Sequence, residues 1–348
     1  MRAIPIAGAA VTAAIINVAL AGWYFTSGSG KSSSLTEESA IPSSSQTTVV
    51  RPDLAAPETT GTIAKPLLAR VEPASPPPVP RAAAPKCPPA TLGVSRRVEI
   101  DTTAGPGFGF QHFKTYDFLE PGEVVLTFDD GPWPNNTPAV LAALAAQCVK
   151  ATFFIIGKHA IWHPRILKQI AAQGHTIGTH TWSHVDLTKK TVAERTDEIE
   201  KGVSIVNLLI GGGAAPFFRF PTLRHPPETV EYLGQRNIAS FSTDIDSLDF
   251  KIKNPDAIVA GLLANLKKRG KGILLMHDFQ HATAVALPQL LEQLRINGYR
   301  VVHLQPKEPV RTLADYDALV ARELKGSGSV ADARPTANAV RTITRRAD

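Results

Sequence analysis

Two adjacent carboxylates, Asp129 and Asp130, close the apolar run Val124-Val125-Leu126 and are followed at once by Gly131-Pro132. Successive side chains on a strand face opposite ways, so the pair belongs where the strand stops, on a turn that aims the two carboxylates at different partners. A second constellation is His180-Thr181-Trp182-Ser183-His184. Histidines four apart share one face of a helical turn, so both imidazoles reach a single ion. No Glu follows the first His, which argues against a zincin-type protease helix. With Asp130 the pair offers three nitrogen and oxygen donors and leaves positions for water and substrate, the open arrangement of a catalytic zinc. Arg219 lies between Phe218 and Phe220, ahead of Pro221. A cation so enclosed needs a carboxylate, for which Asp129 is the candidate. Asp244, Asp246 and Asp249 follow one apolar segment, and Leu274-Leu275-Met276 delivers His277 at the end of another. Taken singly, each piece has a plain structural reading: an incidental polar loop, a solvated acidic turn, a structural histidine. Together they permit metal-assisted hydrolysis, in which a cation polarises a carbonyl and acidifies water, a carboxylate takes the proton, and an imidazolium protonates the leaving group.

The elements that position these residues alternate from 124 onward. Strands at 124–128, 151–156, 176–179, 217–220, 238–243, 272–276 and 299–304 interleave with helices at 137–147, 159–173, 191–210, 227–235, 255–268 and 283–297. Thr191 with Glu194 has capping-box spacing, Asn254 precedes another helix, and Gly174 and Gly211-Gly212-Gly213 are stops. Seven strands alternating with six helices predict an α/β fold with a parallel sheet and right-handed crossovers. No glycine-rich phosphate loop follows the first strand. Candidate residues fall after five different strands, so the sheet is expected to close into a barrel whose strand ends converge.

The five motifs in this order resemble those of the NodB-type polysaccharide deacetylases, carbohydrate esterase family four. They are Thr127-Phe128-Asp129-Asp130-Gly131, His180 to His184, Arg219-Phe220-Pro221-Thr222, Asp246-Ser247-Leu248-Asp249-Phe250, and Leu275-Met276-His277. The resemblance spans the motif core 120–305. It implies a distorted (β/α) barrel of seven or eight strands, and a divalent metal: zinc first, with Co2+, Ni2+ or Mn2+ as alternatives. It also implies removal of acetyl groups from sugars. By position, Asp129 is implied as general base, and Asp130, His180 and His184 as metal ligands. Arg219 would orient Asp129, Asp249 would tune His277, and His277 would be the general acid. Leu275 would line the acetyl pocket. Two positions depart from the family pattern. Thr222 replaces a Tyr whose backbone N–H serves the oxyanion hole, and Phe250 replaces a Trp, so substrate contacts at Thr222 and Phe250 are where specificity would differ. The implied substrate is an N-acetylglucosamine-containing glycan, peptidoglycan or chitin-type. An O-acetyl esterase of xylan-like polymers would use the same machinery, whereas a silent glycan-binding module would lack an acid, a base or a ligand.

The 348 residues allow one large domain with appendages. Net charge is +6, but residues 322–348 carry six basic against three acidic groups, half of the excess. With no aromatic-basic interleaving, this argues against a nucleic-acid partner. Residues 3–25 contain no charged side chain and end in Trp23-Tyr24-Phe25. As a helix they reach about 34 Å, enough to cross a bilayer core of about 30 Å. Residues 1–25 are therefore expected to anchor the chain in the inner membrane, with the rest in the periplasm or outside the cell. Ala19-Leu20-Ala21 offers the competing reading of a cleaved signal and a secreted protein. Residues 26–90 are rich in Ser, Thr, Ala and Pro and read as a disordered linker. Residues 91–320 form the deacetylase-like domain and 321–348 a flexible basic tail. Cys87 and Cys148 suit an exported protein with one disulfide, or else a solvated and a buried thiol.

Overall fold

A computed structural model describes residues 87–326. The proposed membrane span, nearly all of the linker and residues 327–348 lie outside that range. Among the described residues no helix is long and apolar enough to cross a membrane.

In chain order the strands are β1 (Arg96–Ile100), β2 (Gly107–Phe108), β3 (Glu123–Asp129), β4 (Thr152–Ile155), β5 (Thr176–Thr179), β6 (Phe217–Phe218), β7 (Ala239–Phe241), β8 (Ile245–Asp246), β9 (Gly272–His277) and β10 (Arg300–Pro306). The helices are α1 (Asn136–Ala146), α2 (Gly157–Trp162), α3 (Pro164–Ala172), α4 (Val192–Ile210), α5 (Pro227–Gln235), α6 (Pro255–Arg269), α7 (His281–Ile296) and α8 (Ala314–Gly326). Every strand pairing among the described residues is parallel. β3 is buried along its whole length, as a strand covered on both faces must be, and its neighbours are apolar to match. The row β8-β9-β3-β4-β5-β6-β7-β2 begins with β8 and closes with β7 and its partner β2, and only three residues, Ser242, Thr243 and Asp244, separate β7 from β8 in the chain. The sheet therefore comes round on itself as a distorted β/α barrel, and β1, paired with β10, extends it beside β3.

Register decides what meets at the strand ends. β3 pairs with β9 from Val124 opposite Gly272 to Asp129 opposite His277. β5 pairs with β6 through Thr179 opposite Phe218, which sets His180 and Arg219 side by side just beyond.

Several elements differ from expectation. The helix expected over 159–173 is two helices, α2 and α3, broken at His163-Pro164 because proline starts a helix more readily than it continues one. The strand expected over 238–243 stops at Phe241, and the chain re-pairs with β9 as β8. Residues 91–122, whose mixed apolar and glycine content reads as short strands or loops leading into the domain, contain the short strands β1 and β2. The first six residues of the expected tail, 321–326, belong to α8. Other local signals hold: Thr191 and Glu194 form a reciprocal capping box on α4, Gly211 at φ 81° ends that helix, and the Asn254 side chain caps α6.

Cys87 and Cys148 form a disulfide with Cα atoms 6.0 Å apart, tying the segment ahead of β1 to the residues that follow α1. The bridge spans 61 residues, so in the chain-entropy description Cys148→Ser is expected to cost about 4 kcal/mol. Urea denaturation checks this: the variant and the reduced wild type should share a midpoint well below that of the oxidised protein.

Candidate active site

All five expected motifs reach one end of the barrel. Asp129 ends β3 with its carboxylate buried, and Arg219 Nη1 donates to its Oδ1 at 2.7 Å. Arg219 is itself wholly buried. The same nitrogen donates to Thr127 Oγ1, Nη2 donates to the Ser242 carbonyl at 2.8 Å, and the guanidinium lies 4.2 Å over the Phe154 ring. Burial lifts the Asp129 carboxyl above its ordinary range even against the Arg219 charge, which makes it a stronger proton acceptor.

Asp130 turns away because its backbone is left-handed, φ 74°, a conformation that Asp tolerates better than most residues. Its Oδ1 lies 3.5 Å from His180 Nε2 and 3.3 Å from His184 Nε2. His180 Nδ1 donates to the Arg219 carbonyl at 2.7 Å, which leaves the Nε2 lone pair free. Burial, with His184 adding to it, holds the His180 imidazole well below its usual pKa and therefore neutral. The histidine pair does not sit on a helical turn as expected. It spans a turn in which Thr181 and His184 are left-handed (φ 65° and 57°), and the Thr181 hydroxyl accepts from the His184 N–H. Donor atoms of Asp130, His180 and His184 all lie within 4.8 Å of one another. Asp130 Oδ1 is buried without a hydrogen-bond partner, a costly state unless a cation completes it. The residues thus fit a divalent ion.

On the other side stands His277, at the end of β9. Asp249 Oδ1 accepts from its Nδ1 at 2.6 Å, and Asp249 Oδ2 accepts from its backbone N–H at 2.7 Å. Its Nε2 is 3.9 Å from Asp130 Oδ2. Burial disfavours the imidazolium, but the Asp249 carboxylate outweighs it and, with Asp129 and Asp130, raises the pKa to about 9. Asp249 is fully buried; burial would raise its carboxyl, but its bonds to His277 and Thr283 hold it below the usual range. The other two acids of that motif do other work. Asp244 accepts the Phe110 and Ile273 N–H groups, and Asp246 accepts that of Leu248.

Leu275 is buried on β9, paired with Thr127 on one side and Asp246 on the other. The Thr222 side chain is exposed, its backbone is left-handed (φ 57°), and its N–H has no partner among the described residues. The Phe250 ring, 43% exposed, stands edge-on 5.8 Å from His277.

Two residues escaped the sequence reading. Asp278 is fully buried, accepts from Thr137 Oγ1, and burial lifts its carboxyl to about 7. A Cβ on Gly131 would collide with the Asp278 carboxylate, so the residue after the acid pair has to be glycine. The signal was present, since Asp278 directly follows His277. His159, just after β4, donates from Nδ1 to the Asp130 carbonyl at 2.5 Å; only its place at a strand end pointed to it.

Comparison with known proteins agrees with this geometry. The family model described as polysaccharide deacetylase matches residues 119–240. A peptidoglycan-N-acetylglucosamine deacetylase of Bacillus cereus is 35% identical over 196 residues, 54% of this chain and 70% of that protein. The peptidoglycan-N-acetylglucosamine deacetylase PgdA of Listeria monocytogenes is 34% identical over 185 residues, 51% of this chain but only 37% of that protein. Among solved structures, the Bdellovibrio bacteriovorus peptidoglycan deacetylase Bd3279 superposes with a TM-score of 0.58 at 32% identity, covering 63% of this chain and 61% of that one.

The His277–Asp249 pair sets a titration. Below about 6.5 the imidazole is protonated folded or unfolded, so the pair's stabilisation is fully present; it fades as pH rises through about 9. In cation-free protein the His277 ring resonances should titrate near 9, and Asp249→Asn should lower that midpoint by more than about one unit. An unmoved midpoint would contradict the assignment.

Proposed function

The chain belongs to the polysaccharide deacetylase family, and from that premise we propose that it is a metal-dependent hydrolase removing N-acetyl groups from N-acetylglucosamine-containing glycans, peptidoglycan or chitin-type oligosaccharide. The observation that carries the proposal is the meeting of three ligand atoms within 4.8 Å, with a base held by arginine on one side and an acid held by aspartate on the other. The named relatives act on N-acetylglucosamine, which favours the amide over the O-acetyl ester of xylan-like polymers.

Asp130, His180 and His184 would hold the ion, and their mixed nitrogen and oxygen donors with open positions suit zinc. A bound divalent cation would supply Lewis acidity toward the amide carbonyl and lower the pKa of water. Asp129 takes the proton from the attacking water, its carboxylate aimed by Arg219. The unpartnered N–H of Thr222 is available to the tetrahedral oxyanion. His277, kept protonated by Asp249, gives its proton to the departing sugar amine. The partners of base and acid differ in sign: Arg219 favours the carboxylate form of Asp129, and Asp249 favours the imidazolium form of His277. Leu275 and Phe250 are read as the apolar surfaces around the acetyl group and the sugar.

Location is a further element of the proposal. The uncharged stretch at 3–25 supports an inner-membrane anchor, and the Cys87–Cys148 bridge supports an oxidising compartment on its far side.

Acetate release from N-acetylglucosamine oligomers, peptidoglycan and acetylated xylan tests the activity. It should occur on the first two, stop with a chelator and return with added zinc. Asp129→Asn should retain the metal yet lower kcat by about 10²–10⁴-fold, and His184→Ala should lose metal on elemental analysis. Wild-type rates in Asp129→Asn would overturn the role given to that carboxylate.

A further inference from the structure

Two tryptophans stand exposed beside the ligand loop, Trp133 at 36% and Trp162 at 49%. His159 lies between them, its ring centroid 5.2 Å from that of Trp133 and 5.1 Å from that of Trp162, and His163 packs edge-on against Trp133 at 5.5 Å. Large apolar side chains are seldom left in water side by side, and here two of them line up on one strip. None of the three central rings is used in the chemistry set out above. The strip is joined to the site through the backbone: Trp133 follows Asp130 by three residues, and His159 Nδ1 donates to the Asp130 carbonyl. That bond also holds the imidazole in place between the indoles.

We propose that Trp133, His159 and Trp162 form a stacking shelf for the sugar rings of the glycan that flank the acetylated unit. A pyranose ring has an apolar face of C–H groups and a rim of hydroxyls. The face lies on an indole, while the rim finds hydrogen-bonding partners in the indole N–H and the imidazoles, groups that are apolar in body and polar at the edge. Continuity with the ligand loop is what assigns the strip to substrate, so the inference rests on the proposed deacetylase reading. The shelf lies on the β3 and β4 side of the barrel mouth, which gives the glycan a direction: its length runs from His277 and Phe250 across the ion site toward Trp162. Chain-length preference then resides in α2 and in the residue after Pro132, not in the five motifs.

Steady-state kinetics on full-length protein with N-acetylglucosamine oligomers, from dimer to hexamer, test this. Trp162→Ala should raise KM for the hexamer about tenfold, leave kcat unchanged and leave the dimer unaffected, and Trp162→Phe should restore most of the loss. An equal change at all lengths, or no change, would overturn the shelf. If the wild type releases no acetate from any oligomer or from peptidoglycan, the deacetylase reading fails. The shelf is then judged separately by tryptophan fluorescence: it stands if the hexamer perturbs the wild type and not Trp162→Ala, and falls otherwise.

Discussion

A buried guanidinium is the constraint from which the rest of the site follows. Arg219 has no access to solvent, and a charge in that position is tolerable only when its donors are met. Its side chain is satisfied by Thr127, Asp129 and the carbonyls of Phe241 and Ser242, so one residue ties β3 to the end of β7 across the barrel interior. Its own carbonyl accepts from His180. The residue that aims the proton acceptor therefore also orients an imidazole of the ion site. Losing the side chain would strand Asp129 as an unpaired buried carboxylate, whereas shifting the backbone would release His180.

Backbone strain is concentrated around the same point. Asp130, Thr181, His184 and Thr222 all adopt left-handed conformations, which L side chains enter at some cost. At Asp130 the effect is to separate neighbouring carboxylates that would otherwise serve the two faces of one strand. At Thr181 and His184 it folds the histidine turn back so that both Nε2 atoms reach one carboxylate oxygen. At Thr222 it accompanies a backbone N–H that no group among the described residues takes up. The gross packing of the barrel restrains these conformations: β3, β4 and β9 are almost entirely buried, and Asp278 fills the space beneath Gly131.

Much of this was legible in the amino-acid order. Apolar runs ending in Asp129, His180, Arg219 and His277 announced parallel strands and the end at which polar residues collect, and capping residues located α4 and α6. The pairing of Arg219 with Asp129 followed from the need of an enclosed cation for a carboxylate. What escaped was geometry that side-chain types do not encode. Four-residue spacing between His180 and His184 suits a helix, yet the same reach is achieved by a left-handed turn. A strand as short as β8 has too few residues to show a period. Asp278 read as an ordinary acid after a strand, because only the distance to Gly131 shows that it fills a space no other side chain could share.

The bridge between Cys87 and Cys148 also changes how force enters the domain. Any pull on the chain upstream of Cys87 passes through a covalent link directly to the residues between α1 and β4, against which the barrel interior is packed. β1 lies on the slack side of that link, so the Arg96–Ile100 ladder to β10 is not the first thing to be loaded. With the bridge reduced, the same pull would fall first on that edge strand and peel it from β10, leaving an open row of backbone donors and acceptors for another chain to pair with.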